Sequence, residues 1–392
     1  MFATPQRGPA CISFLSFLFS TTLADSGSPC CSRDAGFDPV EAADLAKSLS
    51  SHSWEYGTAA EALLELYNPE LSVFSRNAFP NASLPVVPLI ADVPALEYVK
   101  PHIRLGSTTL IDGDGASGDP ASLGNFALLI GQSEEAYLDA AKNQLNHFSD
   151  VPRWPNGAIS QRDNTAELWA DFMYMAPPFM AYAGPAFNDG GSLQSAIEQC
   201  GLYREVLSSN SNSGDVSSGA WHHIIGPETQ DTGLWSTGNG WAAMGMARVL
   251  ATLLHWHPTE TGPDFSQTRK DLFEWIGEIL RGAMSSPKDD GLLRNYLNDD
   301  SWFGETSGTA LLTATVYRTV VTAEMMDWAK ANMRAVAAHV DDNGLASPAV
   351  NPLGWGDRTP YTQGSPEGQS FLVLLYSAWR DCIEAGICSE NL

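Results

Sequence analysis

About twelve helical segments follow one another along this 392-residue chain, and they alternate between two types. One type is apolar on every face, as in LLTATVY from Leu311 and FLVLLY from Phe371. The other type is amphipathic, as in SEEAYLDAAKNQLNHF from Ser133. A helix that is apolar all round lies in the interior, whereas an amphipathic helix covers that interior from outside. The alternation therefore predicts helical hairpins, each with one inner and one outer helix.

The hydrophobic periodicity predicts the bounds of these helices. They are expected at 39–49, 55–67, 91–99, 120–130, 133–148, 165–175, 193–207, 239–255, 267–284, 307–320, 323–339 and 366–385. Strand-like alternation is scarce, and pieces such as 107–111 are short and isolated. The predicted class is therefore all-α, and about six hairpins can close into a double ring of helices.

Four of the predicted inner helices begin after a polar turn that contains glycine. These turns lie near Gly118, Ser236, Glu305 and Gly364. If the inner helices run parallel, the four turns gather at one end of the ring, together with the positive ends of the helix dipoles. We therefore predict the functional site at that end.

The first 24 residues have the features of a secretion signal. Arg7 precedes an apolar run, and small residues at 22–24 suit a signal peptidase. We expect a secreted protein in which residues 25–392 form a single barrel domain. Other apolar runs fall short of the roughly 18 residues that a membrane helix needs, so no membrane association is expected.

Charge and cysteine content narrow the function further. The formal net charge of −25 opposes binding to nucleic acid. Removal of the signal leaves five cysteines, and Cys382 with Cys388 is a candidate local disulfide, although spacing alone does not fix connectivity. Asn81 begins the one sequon for N-glycosylation, in Pro-rich surroundings that suit an exposed loop.

Asp171 is the acidic residue inside the apolar stretch AELWADFMYMAPPFMAY. Asn164 as the N-cap and Glu167 as its capping-box partner predict a helix start just before this stretch. Pro177 and Pro178 are expected to end or kink the helix. Asp171 would then lie in mid-helix, facing the interior.

Burial of this kind disfavours a charged carboxyl and raises its pKa. A carboxyl that is protonated near the working pH can act as a general acid. We therefore select Asp171 as the candidate catalytic residue. The structural alternatives are an ion pair with an arginine such as Arg162, or a place on a solvated edge of the helix.

Other candidate residues lie near the glycine turns. Asp119 before Pro120 is explained by helix capping alone, but it also faces the predicted site. Glu367, next to Pro366, has the same two interpretations through the helix dipole. Tryptophans are frequent near these turns, and their flat faces suit sugar rings, although most tryptophans are core residues. They are Trp169, Trp221, Trp235, Trp241 and Trp355.

Several cofactor motifs are incomplete in this chain. Residues 113–118 match G-x-G-x-x-G, but the βαβ unit that this dinucleotide motif requires is not predicted. The aspartates of the same loop fail the EF-hand pattern at Ala116 and Leu123. The paired histidines lack zinc spacing, and no G-x-S-x-G occurs. We predict neither a metal nor a cofactor.

Four segments together carry a family likeness. They are AELWADFMYMAPPFMAY, GLWSTGNGWAAMGMARVL, ETSGTALLTATVYR and GSPEGQSFLVLLYSAWRD. Over residues 91–381 the chain resembles the unsaturated rhamnogalacturonyl hydrolases of glycoside hydrolase family 105, which are related to family 88 unsaturated glucuronyl hydrolases. The resemblance implies an (α/α)6 barrel and a lyase-generated oligosaccharide that ends in a 4,5-unsaturated uronic acid. In that chemistry an aspartic acid protonates C4, water adds at C5, and the resulting hemiketal opens to expel the sugar.

The resemblance also assigns roles to individual residues. Asp171 matches the general acid and base, and Asp119 matches a second family aspartate. His223 matches an active-site histidine, and Trp235 and Trp241 match the motif that lines the sugar pocket.

Four further residues complete the expected substrate-binding set, namely Asn239, Arg162, Trp169 and Glu367. The chain departs from the family at Gln161, where histidine is common, and at Thr237, where arginine is common. That arginine is a natural partner for the uronate carboxylate. Two alternatives therefore stay open: a conventional two-carboxylate glycosidase, and a sugar-binding barrel without catalysis.

Overall fold

The computed structural model describes residues 31–209, 219–257, 265–319 and 322–390. The expected signal, residues 1–24, lies outside these ranges. Within them the chain forms twelve α-helices. They are α1 Pro39–Leu49, α2 Ser53–Tyr67, α3 Pro94–Val99, α4 Gly124–Gly131, α5 Glu135–Asp150, α6 Phe172–Phe187, α7 Gly190–Leu207, α8 Ser236–His255, α9 Ser266–Met284, α10 Thr306–Thr319, α11 Ala323–Ala337 and α12 Pro366–Glu384.

The helices form two concentric rings. The inner ring consists of the even-numbered helices; from α4 to α12 each packs on the next, and α12 packs on α2. A 3-10 segment, Asp119–Leu123, leads into α4 and packs between α2 and α6. The odd-numbered helices lie outside, so the predicted all-α architecture and its hairpin alternation are confirmed. The inner helices are almost completely buried, because they are apolar on all faces.

The described ranges contain two short pairs of antiparallel strands. Strand β1, Leu168–Trp169, pairs with β2, Ile224–Ile225. Strand β3, Lys288–Asp289, pairs with β4, Leu292–Leu293. Because β1 immediately precedes α6, its pairing with β2 fixes where the chain enters the inner ring.

The predicted helix at 165–175 is wrong at both ends. Asn164 does not cap a helix here, since residues 168–169 are strand and α6 begins at Phe172. The Glu167 carboxylate instead accepts hydrogen bonds from the backbone N–H groups of Glu228 and Thr229, at 2.9 and 2.6 Å. Glu167 therefore bonds a segment about sixty residues away in sequence, and it does not form the local capping box that we predicted.

Helix α6 also continues through Pro177 and Pro178, where we predicted its end or a kink. Pro177 has no N–H for the carbonyl of Met173, four residues earlier. Helix α8 packs against this turn at Gly245, where a Cβ atom would lie 2.0 Å from the Met173 carbonyl oxygen. Close interhelical packing of a fully buried segment therefore outweighs the proline penalty.

At the opposite end from the glycine turns, the inner ring encloses ion pairs. Glu61 of α2 pairs with Arg248 of α8 at 2.5 Å. Arg318 of α10 bridges Glu65 of α2 and Asp381 of α12. Arg318 lies in the last turn of α10, where a cation interacts favourably with the helix dipole. These pairs tie the inner helices together without touching the candidate site.

The candidate disulfide is present, since Cys382 and Cys388 are joined with a Cα–Cα distance of 5.3 Å. It links the last turn of α12 to the segment that follows. None of the described helices combines the length and the apolar character that crossing a bilayer requires.

Candidate active site

A pocket of about 250 Å³ opens at the end of the barrel where the inner helices begin. It is lined by His52, Trp54, Gly113, Asp114, Asp119, Gln161, Arg162, Trp169, Asp171, Met175, His223, Trp235, Pro352, Leu353, Trp355 and Glu367. Pockets for drug-sized ligands span roughly 300–1,000 Å³, so this one suits a single sugar ring. Its place agrees with the end predicted from the glycine turns.

The pairing of β1 with β2 brings the central residues together. Trp169 lies opposite Ile224, and the Ala170 N–H donates to the His223 carbonyl at 2.9 Å. Asp171 follows directly at the N-cap of α6, so its side chain meets that of His223. The Asp171 Oδ2 atom lies 3.3 Å from Nε2 of His223.

The expected position of Asp171 in mid-helix is corrected by the structure. Because α6 begins one residue later, Asp171 lies at the mouth of the barrel and not inside an apolar stripe. Its side chain is 18% exposed and lines the pocket. No arginine of the described ranges pairs with it, so the structural alternative of an Arg162 ion pair is not what the structure shows.

His223 is a buried histidine between two carboxylates. Its Nδ1 atom lies 3.0 Å from Oδ2 of Asp231, on the side opposite Asp171. Burial disfavours the protonated ring, but Asp171 and Asp231 together outweigh burial and raise the pKa of His223 above its usual value. The two carboxylates therefore favour the protonated imidazole beside Asp171.

Three tryptophans surround this histidine. Ring centroids lie 4.4 Å from His223 for Trp235, 5.1 Å for Trp355 and 6.0 Å for Trp169. Asn295 fixes two of them, because it accepts from the Trp235 indole N–H at 2.9 Å and donates to the Trp355 carbonyl at 2.8 Å. The result is an aromatic wall that can pack against a sugar ring.

Asp119 begins the 3-10 segment that leads into α4, but it does not cap that segment, because the N-cap is Gly118. Its Oδ1 atom instead accepts from Nε2 of Gln161 at 2.7 Å. Burial and, to a lesser extent, the charge of Asp171 raise the pKa of Asp119 to about 7, against the opposing hydrogen bond from Gln161. Asp119 therefore has the raised pKa that a carboxyl needs to act as a general acid.

We expect Asp119→Asn to stabilise the protein at pH 8 and to leave its stability unchanged at pH 4. The folded pKa of about 7 exceeds the ordinary value of about 3.9. The stability that Asp119 contributes is therefore complete below about pH 4 and is lost as pH rises through about 7. The asparagine can still accept from Gln161. Thermal unfolding at both pH values measures the effect, and an equal shift at both would contradict the assignment.

Glu367 is the second residue of α12, whose N-cap is Ser365. Its Oε1 atom accepts from the Trp54 indole N–H at 2.6 Å. Burial, followed by the nearby charge of Glu55, raises the pKa of Glu367 well above its usual value. Burial therefore favours the protonated form of this carboxyl, which lines the pocket.

Arg162 is the one arginine among the lining residues of the pocket. Its Nη2 atom donates to the Asp114 carbonyl at 2.9 Å, and it forms no ion pair with a carboxylate of the described ranges. The left-handed Gly115 lets the guanidinium approach, since a Cβ atom there would lie 3.1 Å from Nη2. The glycine loop at 113–118 therefore shapes the pocket.

Two predicted pocket residues lie elsewhere. Trp241 is buried in the core, with its ring 4.6 Å from Tyr174 and 4.5 Å from Phe371. Asn239 is buried too, and its side chain bonds the backbone of Trp221 and Trp235. Neither residue belongs to the pocket lining in this structure, although Asn239 holds the backbone that carries Trp235.

Other contributors were missed by sequence reasoning. His52 and Trp54 reach the pocket from the start of α2 and carry no motif that would reveal them. Leu353 and Asp231 also carry no sequence motif. Leu353 lies in an irregular loop, and Asp231 contacts His223 from the side away from the pocket. Trp355, a tryptophan near a glycine turn, was the one residue of that loop that the sequence pointed to as a pocket residue.

Known glycoside hydrolases are similar to this chain in sequence and in fold. A curated relative, the unsaturated rhamnogalacturonyl hydrolase YesR of Bacillus subtilis (strain 168), is 24% identical over 205 residues. That alignment covers 48% of this chain and 54% of YesR, so it spans about half the length of the relative.

Solved structures share the fold. A family 105 glycoside hydrolase of C. acetobutylicum ATCC 824 aligns with a TM-score of 0.67 and 13% identity, covering 88% of this chain and 99% of that one. A possible GH105 member from Salmonella enterica aligns with a TM-score of 0.65 and 17% identity, and the alignment covers 84% of this chain and 83% of that one. The unsaturated glucuronyl hydrolase of Bacillus sp. GL1 aligns with a TM-score of 0.56 and 15% identity, and the alignment covers 90% of this chain and 96% of that one.

The sequence profile described as Glycosyl Hydrolase Family 88 matches residues 120–365, which contain Asp171, His223 and most of the pocket lining. This span is more than half of the chain. The chain therefore belongs to Glycosyl Hydrolase Family 88.

Proposed function

We propose that this protein removes a terminal 4,5-unsaturated uronic acid from lyase-generated, rhamnogalacturonan-type pectin oligosaccharides. One observation carries the proposal: Asp171 faces a pocket the size of one sugar ring, with its Oδ2 atom 3.3 Å from Nε2 of His223. The curated relative is named an unsaturated rhamnogalacturonyl hydrolase, which supports this substrate class.

The pocket supports hydration of the vinyl ether. Asp171 gives its proton to C4, the electron pair of the C4=C5 bond forms the new C–H bond, and water adds at C5. The water then returns a proton to Asp171, so the acid is regenerated. The hemiketal at C5 opens by breaking its bond to the ring oxygen, so that C5 becomes a ketone and the ring oxygen, now a hydroxyl, leaves a hemiacetal at C1. This hemiacetal breaks its bond to the glycosidic oxygen, so that C1 becomes an aldehyde and the neighbouring sugar leaves with the glycosidic oxygen and a proton. General acid–base catalysis of this kind contributes about 10²–10⁴-fold to the rate.

The surrounding residues position the ring for this step. The tryptophan wall of Trp169, Trp235 and Trp355 packs against one face of the sugar. The carboxyls of Asp119 and Glu367, whose protonated forms are favoured by burial, can donate hydrogen bonds to its hydroxyl groups. Neutral donors are needed there, because a further anion beside an anionic substrate would repel it.

Arg162 takes the uronate carboxylate in this proposal. The family arginine is replaced by Thr237, which is fully buried and does not line the pocket. Arg162 lines the pocket without a carboxylate partner among the described residues, and its guanidinium can bind a carboxylate in a bidentate manner. It is therefore the best candidate for the missing cation.

We expect Arg162→Met to raise KM by about 10- to 150-fold, because a hydrogen bond to a charged group contributes about 1.5–3 kcal/mol. Arg162→Lys should recover part of this loss, since it keeps the charge without the planar fork. Initial rates across substrate concentrations measure both. Arg281→Met on the outer helix α9 is the matched control. An unchanged KM in Arg162→Met would place the carboxylate elsewhere.

A sugar-binding barrel without catalysis is the second candidate, and the replacement at Thr237 favours it. Absorbance near the ultraviolet band of the unsaturated uronate separates the two. With lyase-treated pectin, alginate-type and glycosaminoglycan fragments, we expect loss of absorbance with the pectin fragments. Calorimetric binding of these fragments without absorbance loss would favour the binding protein.

We also propose that the protein is secreted and glycosylated at Asn81. Asn81 is exposed in the 3-10 turn Pro80–Ala82, where a glycan has room. The signal-like residues 1–24 support export. Mass spectrometry of protein from the culture medium, before and after deglycosylation, tests both points, and Asn81→Gln should lack the mass difference.

A further inference from the structure

A hydrogen-bonded chain extends behind His223, away from the pocket. Asp231 Oδ2 accepts from Nδ1 of His223 at 3.0 Å and from the Tyr296 hydroxyl at 2.5 Å. Its Oδ1 atom accepts from the Gly233 N–H at 2.9 Å. Asp231 is outside the pocket lining, so it acts only through His223.

The neighbours of Asp231 leave its carboxylate little freedom. Its backbone bonds both ways with Ile224 of β2, at 2.8 and 3.1 Å. The Tyr296 ring packs 4.9 Å from that of Trp302. A Cβ atom at Gly233 would lie 2.1 Å from the Tyr296 ring, so only glycine fits beside the phenol.

The charges within the chain favour one arrangement of protons. Burial opposes ionisation of Asp231, but hydrogen bonds from His223 and Tyr296 outweigh it and lower the pKa of this carboxyl. Burial and Asp231 both raise the pKa of Tyr296, which therefore remains a donor. An ionised Asp231 can only accept, so the hydrogen between it and the imidazole belongs to Nδ1.

We propose that Asp231, fixed by Tyr296, is a positioning residue that keeps a proton on Nδ1 of His223 and so dedicates Nε2 to Asp171. A ligand-bearing or catalytic histidine is commonly oriented through its other nitrogen in this way. With Nδ1 occupied, Nε2 is the imidazole nitrogen that faces the Asp171 carboxyl, 3.3 Å away.

This inference rests on the proposed function and adds a step to it. When Asp171 gives its proton to C4, the Nε2–H of His223 stabilises the carboxylate that results. Water attacking C5 then returns a proton to Asp171, and His223 keeps both of its own. Without Asp231 the imidazole could adopt the other tautomer or lose a proton, and Asp171 would lose this partner.

The test compares Asp231→Asn and Tyr296→Phe with Asp290→Asn, which alters a surface aspartate paired with His339. We expect Asp231→Asn to lower kcat by about 10- to 100-fold, the range seen when the partner orienting a functional histidine is removed. KM should be unchanged. Tyr296→Phe should act in the same direction but less strongly, and Asp290→Asn should leave activity unchanged.

The pH profile separates positioning from a merely structural role. The charged groups that face His223 are Asp171 and Asp231, while the three tryptophans around it are neutral. Both carboxylates raise the pKa of His223, so removing Asp231 lowers it. The alkaline limb of kcat against pH should therefore move to lower pH in Asp231→Asn.

Nitrogen-15 NMR of labelled histidine gives a readout that needs no substrate. In the wild-type protein, Nδ1 of His223 should stay protonated across the pH range in which the protein is folded. In Asp231→Asn it should titrate at lower pH or exchange tautomers. Unchanged Nδ1 signals and pH profiles in both variants would overturn the inference. A wild type that turns over no unsaturated uronide but shows the expected NMR signals would overturn only the proposed function.

Discussion

We expect Asp171→Asn to lower kcat by about 10²–10⁴-fold, with KM changed little. Asparagine keeps the size of the side chain and its place at the N-cap of α6, but it has no proton that it can give to C4. The loss therefore falls on the chemical step and not on binding. Initial rates of absorbance loss with an unsaturated uronyl disaccharide measure it.

The control for this experiment is Asp139→Asn on the outer helix α5, where the carboxylate is exposed and pairs with Lys142. It should retain wild-type rates. Full activity in Asp171→Asn would show that another group delivers the proton, and Asp119 would be the next residue to replace, since its pKa of about 7 also suits an acid.

The second large effect concerns stability and lies at the other end of the barrel. Arg318→Met should lower the free energy of unfolding by about 3–5 kcal/mol, because it leaves the buried Glu65 carboxylate without this partner. The Arg318 side chain is 5% exposed and contacts Glu65 and Asp381, of which Glu65 is 2% exposed. Burial already raises the pKa of Glu65, although Arg318 opposes it. Urea unfolding at pH 7 measures the loss.

Two further variants show whether the cause is an unpaired buried charge. Arg281→Met removes an exposed pair with Glu274 and should lower stability by no more than about 1 kcal/mol. Adding Glu65→Gln to Arg318→Met should restore part of the stability, since the buried anion is then absent. A loss of under 1 kcal/mol in Arg318→Met would mean that the pair contributes little.

Most helices could be predicted from the sequence, because the hydrophobic periodicity that indicates a helix is a local pattern. The prediction at 39–49 coincides with α1, and that at 267–284 differs from α9 by one residue. The start of α6 could not be read, because it depends on pairing between β1 and β2 and on the contact of Glu167 with residues 228–229. Such long-range contacts leave no periodic pattern.

The site was predictable to the extent that motifs carry it. Asp119, Asp171 and His223 were identified from family-like segments and do converge on one pocket. Trp241 was misplaced because a position six residues after Trp235 lies nearly two helical turns deeper in α8. His52, Trp54 and Asp231 reach the site only through tertiary packing.

The most direct test of the account follows two signals in one reaction: loss of the C4=C5 absorbance and release of the neighbouring sugar. If Asp171 protonates C4, the double bond disappears before the sugar can leave. Both signals should then change with the same rate constant at every enzyme concentration, and both should vanish in Asp171→Asn. Sugar released while the absorbance persists, followed by a slower decay independent of enzyme concentration, would contradict hydration and identify a conventional glycosidase.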